Sequence, residues 1–169
     1  MGKKHRPKST QDGESHSNES SRKQSGLRGG STSDRRSDYA AFISHSWDYD
    51  QEYARLVRLL NKADDFDYRN YSVPKDEKFD TKTDDELAQT LREKQIKPSS
   101  VVIVPAGVYS THSEWIEKEI SIAEQENKPI LGVEPWGNDR TSSHVRQHAD
   151  KMVGWTTGSV VDAIEELAP

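Results

Sequence analysis

Cysteine is absent from all 169 residues, which excludes disulfides, thiol nucleophiles and thiolate metal sites. Long apolar runs are absent as well. None approaches the roughly 20 residues of a membrane span, and none suits a signal-peptide core, so the chain is expected to stay soluble in the cytoplasm, where it is made. Aromatic residues make up only 8% of the chain, and hydrophobic residues, at 31%, merely equal the charged ones. That scarcity is uneven. Residues 1–37 contain no aromatic residue, no Ile, Val or Ala, and a single Leu. A segment so poor in apolar surface cannot offset its ordering entropy, and residues 1–37 are expected to form a disordered tail ahead of one domain, 38–169.

Charge divides at the same place. Residues 1–36 hold nine Lys/Arg against four Asp/Glu, whereas the remainder holds 15 against 25. The basic tail could touch nucleic acid weakly, but the acidic domain makes nucleic acid a poor main ligand. Histidines are scattered. His5 and His16 are isolated, and His112 belongs to a separate segment from His144 and His148, so no metal site is expected. His144 and His148 stand at i, i+4 and read as a solvated helix face.

What is present is an alternation of short apolar runs and amphipathic stretches. Tyr39-Ala-Ala-Phe-Ile-Ser44 reads as a strand buried on both faces, followed by the polar loop Ser44-His45-Ser46-Trp47-Asp48-Tyr49. A helix follows, capped by Asp48 or Asp50, with Tyr53, Leu56, Val57 and Leu60 on one stripe. Residues 66–73 alternate and read as a second, less buried strand. Thr83-Asp84-Asp85-Glu86 forms a capping box for a helix that stops at Pro98. Residues 100–106, the most apolar run, read as a central strand, and 130–136 as a fourth. A short helix around 142–150, a fifth strand at 152–155 and a last helix at 159–167 complete the series. Five β and five α elements in alternation predict an α/β fold: a flavodoxin-like, doubly wound five-stranded parallel sheet in the order 2-1-3-4-5.

The most informative stretch is Tyr109 to Asn127. It reads as a helix entered through Thr111 or Ser113, with Thr111 and Glu114 as a capping box. Trp115, Ile116, Ile120, Ile122 and Ala123 share one face, and Glu119 falls in the middle of it. A carboxylate there is paired, raised in pKa, or facing a wet cleft. In the expected strand order the carboxyl ends of strands 1 and 3 border the crevice where open α/β sheets bind ligands, so Glu119 and the Ser-His-Ser-Trp loop converge there. Other domains of this architecture fit poorly. The third strand ends in Val104-Pro105-Ala106 without the Asp of a receiver, and the first loop lacks the Gly of a flavodoxin phosphate loop.

Phe42-Ile-Ser-His-Ser-Trp-Asp-Tyr-Asp-Gln-Glu-Tyr53, Arg69-Asn-Tyr-Ser-Val-Pro74, Ser113-Glu-Trp-Ile-Glu-Lys-Glu-Ile120 and Lys128-Pro-Ile-Leu-Gly-Val-Glu-Pro-Trp-Gly137, in this order, resemble the TIR domain superfamily. They are most similar to its bacterial and archaeal TIR-like branch, which includes the Thoeris ThsB proteins. The resemblance covers Tyr39 to about Leu167. It implies a TIR fold and, as in the catalytic members, cleavage of NAD at the nicotinamide glycosidic bond, with NAD as substrate and no further cofactor. The family's glutamate four residues after a tryptophan corresponds to Glu119 after Trp115. Its pocket-bordering first loop corresponds to Ser44, His45, Ser46 and Trp47, and its gating loop to Asn70 through Asp80. Here the family's R-D-x-x-P-G stretch is replaced by Val73-Pro-Lys-Asp-Glu-Lys-Phe79, without Gly. Trp47 or Trp115 is a candidate to stack on nicotinamide or shield the cation, and His45 to bond phosphate or ribose. The implied partners are NAD or a related nucleotide, with self-assembly or an effector protein in antiviral defence. Hydrolysis, cyclisation and a non-catalytic binding module all remain open on these residues.

Overall fold

The computed structural model describes residues 39–45, 50–72, 83–107, 113–135 and 140–168. The expected tail, 1–37, lies outside the described residues, as do Ser46, Trp47, Asp48, Thr111 and the gating segment beyond Ser72. Among the described residues, five strands form one parallel sheet: β1 (Tyr39–Ile43), β2 (Tyr68–Asn70), β3 (Val101–Pro105), β4 (Ile130–Val133) and β5 (Lys151–Val153). Their order is β2-β1-β3-β4-β5, as the alternation predicts. Every residue of β3 and β4 is buried, because helices cover both sheet faces.

Among the described residues each strand is followed by an α-helix: α1 (Asp50–Leu60), α2 (Asp84–Leu91), α3 (Ser113–Gln125), α4 (Ser143–His148) and α5 (Thr157–Leu167). On one sheet face, Ala41, Ile43, Val101, Ile103, Leu131 and Val133 pack against Leu56 and Leu60 of α1 and Val160, Ala163 and Ile164 of α5. On the other, Phe42, Val102, Val104 and Ile130 meet Leu91, Ile116, Ile120, Ala123 and Val145. The period-two alternation of β1 therefore sends odd residues to the α1–α5 layer and even ones to the α2–α3 layer.

Several element ends differ from the sequence expectation, each for a local reason. Thr83 caps α2 as expected, its hydroxyl accepting from Glu86 N–H at 3.2 Å. Beyond Leu91 the helix widens into a π turn, Arg92–Ile96, before stopping ahead of Pro98. β2 pairs over three residues only, since Phe66 leaves the edge to stack on Tyr39 at 5.3 Å between ring centroids. α5 starts two residues before Ser159 because Thr156 is its cap, accepting from Ser159 N–H at 3.2 Å. Past the end of α3, Asn127 takes φ 52°, the left-handed conformation that Asn tolerates after a helix.

Candidate active site

Ser44 continues the alternation of β1 by one residue. Its backbone N–H donates to Ile103 O at 2.8 Å, holding it in register beside β3, and its side chain follows Phe42 onto the α2–α3 face. From the opposite side α3 presents Ile116 and Ile120 to the core, with Glu119 between them in the helical stripe. The two side chains meet, 75 residues apart in sequence: the buried Ser44 hydroxyl donates to Glu119 Oε2. Glu119 is only 7% exposed.

Burial disfavours the charged carboxylate and raises the Glu119 pKa from an ordinary 4.5 to about 7, against the opposing pull of the Ser44 hydrogen bond. No cation among the described residues forms an ion pair with Glu119. Among the described residues its partner is thus a hydroxyl and not a cation. Three surface cavities, along α1 at Gln51–Arg58, between α2 and α3, and between α1 and Trp155, do not have Glu119 in their lining. The segments that follow β1, β2 and β3, residues 46–49, 73–82 and 108–112, lie outside the described residues.

The other site candidates divide into two groups. His45 and Asn70 come together at the carboxyl ends of β1 and β2, through a residue that the sequence presented only as part of a helical stripe. Tyr53 of α1 packs against the His45 ring, tilted 33° to it with 4.5 Å between centroids, and its hydroxyl accepts from Asn70 Nδ2 at 2.9 Å. Nδ1–H of His45 meets Ile43 O at 3.2 Å. Asn70 Oδ1 accepts from Ser72 N–H at 2.9 Å, and the buried Ser72 hydroxyl bridges Ile43, accepting from its N–H at 2.7 Å and donating to its C=O at 2.9 Å. Trp115 stands apart from this group. It is half-buried on α3, one turn before Glu119, with the Lys118 ammonium 4.5 Å above its ring. Ser46 and Trp47 are not described.

The two imidazoles of α4 do meet, with His144 and His148 4.4 Å apart and His148 Nδ1 2.7 Å from Glu124 Oε1. Among the described residues no three side chains are grouped to hold a metal ion.

A parallel 2-1-3-4-5 sheet with helices on both faces, and a carboxylate on the helix after β3 set against the residue that leaves β1, defines a TIR-like domain. A family model described as Thoeris protein ThsB, TIR-like domain, matches residues 42–140. The chain belongs to that family. Curated protein sequences gave no match. Among solved structures, a CMP N-glycosidase of Clostridium botulinum, BcmB, aligns at 13% identity and a TM-score of 0.40, covering 75% of this chain and 98% of the other. A 3-dehydroquinate dehydratase-like protein from Bifidobacterium longum aligns at 12% and 0.39, covering 78% and 94%. Likenesses at this level say nothing about the chemistry of this chain.

Proposed function

We propose that the domain cleaves NAD at its nicotinamide glycosidic bond, with Glu119 as the catalytic carboxylate. The observation that carries this reading is a buried acid, partnered by a hydroxyl and by no described cation, at the carboxyl ends of β1 and β3, where a doubly wound sheet binds its ligand. In the reaction the C1′–N bond breaks with its electron pair passing to the nicotinamide ring nitrogen. Nicotinamide then leaves neutral, without a general acid. Positive charge develops on the ribose, and a carboxylate beside C1′ stabilises it electrostatically.

Capture by water forms a C1′–O bond and releases one proton. Glu119, with its pKa near neutrality, is suited to accept it. The product is then ADP-ribose; capture by a nucleophile within the same molecule gives a cyclic isomer. NAD is the substrate and no cofactor is required. Either product would serve as a signal to an effector protein in antiviral defence. Membrane crossing has no support among the described residues, where no helix is long and apolar enough.

The test is to incubate the purified full-length chain with NAD and follow nicotinamide by chromatography, alongside Glu119→Gln. Loss of at least a hundredfold in the variant is expected, and equal turnover by both proteins removes Glu119 from the mechanism. One observation favours a second reading, a non-catalytic TIR-like module that binds a nucleotide or a protein: Glu119 as a residue is only 7% exposed. That reading expects NAD to persist with either protein, and Glu119→Gln to leave ligand binding unchanged.

A further inference from the structure

Tyr53 sits on the buried stripe of α1 with Leu56, Val57 and Leu60, where a phenylalanine would fill the same space. Its hydroxyl does something a core residue need not do. It accepts from Asn70 Nδ2 at 2.9 Å while its ring lies against His45, so one side chain of α1 fixes two residues from the carboxyl ends of two different strands. Asn70 is held at both ends of its amide, by Tyr53 at Nδ2 and by Ser72 N–H at Oδ1. Since an amide nitrogen carries two hydrogens, one remains for another acceptor.

The chain of contacts goes further. Ser72 clamps both backbone groups of Ile43, the residue before Ser44, and Ser44 holds Glu119. Tyr53, Asn70, Ser72 and the Ile43 backbone are thus hydrogen-bonded in series, up to the residue that precedes Ser44.

We infer that Tyr53 is a positioning residue for nucleotide binding, orienting the second amide hydrogen of Asn70 toward a ribose hydroxyl or phosphate oxygen, either of which accepts it, while its ring fixes His45 alongside. This rests on the NAD-cleaving reading above and adds to it a residue that acts through others. A hydroxyl that only packs would affect folding; one that aims a donor affects affinity.

The experiment uses the full-length chain and NAD itself, measuring binding by titration calorimetry and nicotinamide release in parallel. Tyr53→Phe keeps the ring on His45 and removes the acceptor for Asn70. Affinity for NAD is expected to fall about tenfold, the equivalent of one lost hydrogen bond, with KM following, kcat within twofold and Tm within a few degrees. Combined with Asn70→Ser, Tyr53→Phe should weaken binding no further than Asn70→Ser alone, because both remove one contact. Tyr53→Leu, which also removes the ring contact with His45, should bind more weakly than Tyr53→Phe. Wild-type affinity in Tyr53→Phe, or effects of Tyr53→Phe and Asn70→Ser that multiply, overturns the inference while leaving NAD cleavage standing. A wild-type chain that neither binds NAD nor releases nicotinamide overturns both.

Discussion

Glu119 should make the protein less stable as pH rises, and this can be measured without knowing the substrate. Burial lifts its pKa from an ordinary 4.5 to about 7. A raised carboxyl pKa means that the folded state holds the proton more tightly than the unfolded one. Its stabilising effect is full below the unfolded value and is lost as pH climbs through the folded value. A difference of this size corresponds to about 3 kcal/mol, since each pKa unit is worth ~1.4 kcal/mol. The slope should be steepest between pH 5 and 6.5, at about 1 kcal/mol per pH unit. Urea unfolding of wild type and Glu119→Gln across pH 5 to 8 isolates the effect, because all other titrating groups are common to both. The absolute stability of the variant also depends on whether the new amide finds partners, so the difference between the two slopes is the quantity to compare. Wild type should lose roughly 2 to 3 kcal/mol relative to the variant over that range. Parallel curves, or a wild type that gains stability with pH relative to the variant, would show that the acid is paired or solvated and would refute the reasoning.

The same ionisation should be visible elsewhere. Removing the hydrogen bond that favours the charged form, Ser44→Ala, should move the rising limb of nicotinamide release to higher pH by about one unit, the worth of one charge-assisted hydrogen bond; a pH–rate profile with an unmoved limb counts against the pairing. At the exit of β3, a Cβ on Gly107 would come 2.4 Å from Pro135 Cβ, a contact that a rigid ring cannot relieve. Gly107→Ala should therefore cost about 1–3 kcal/mol in thermal or urea unfolding, and a neutral result would mean that the β3 and β4 exits separate easily.

Much of the architecture was legible because it depends on periodicity. A five-residue run without a polar side chain, Val101–Pro105, can only be a strand covered on both sides, and the stripes of α1 and α3 repeat at helical spacing. Glu119 stood out on the same grounds, as a charge where the stripe asks for an apolar residue. Its convergence with the Ser44 loop followed from the expected strand order, but the hydroxyl–carboxylate bond itself did not, because Ser44 and Glu119 meet only once β1 lies next to β3 and α3 crosses over that pair. Tyr53 was missed for a similar reason. Nothing in a helical stripe tells a packed tyrosine from one whose hydroxyl meets Asn70, and that contact requires β2 to lie beside β1. Ser72 ends the pairing of β2 with side-chain bonds to Ile43, so the alternating pattern of 66–73 overstated the strand. Arg92–Ile96 carries no signal that separates a π turn from an α-helix. The difference lies in a single extra residue between Lys97 N–H and its acceptor Arg92 O.

Two acids at the end of α3 and just past it show what a structural carboxylate here looks like. Glu124 bonds His148 and Glu126 faces Arg92 at 3.6 Å, both on the surface, where such pairs contribute little. Glu119 differs in burial and in the kind of partner it has. Lys118 is its neighbour in sequence, yet its ammonium turns to the Trp115 ring and to Asp84 at 3.6 Å. A cation placed on Glu119 would neutralise it, lower its pKa and stabilise the fold. A serine hydroxyl leans toward the charged form without cancelling it, so when the acid ionises, its negative charge stays available to whatever positive centre arrives. An arrangement that lowers stability near neutral pH gains a physical use where such a centre is the substrate, as in the proposed reaction. The cationic nicotinamide riboside, which becomes more positive at C1′ as its bond breaks, is a centre of that kind.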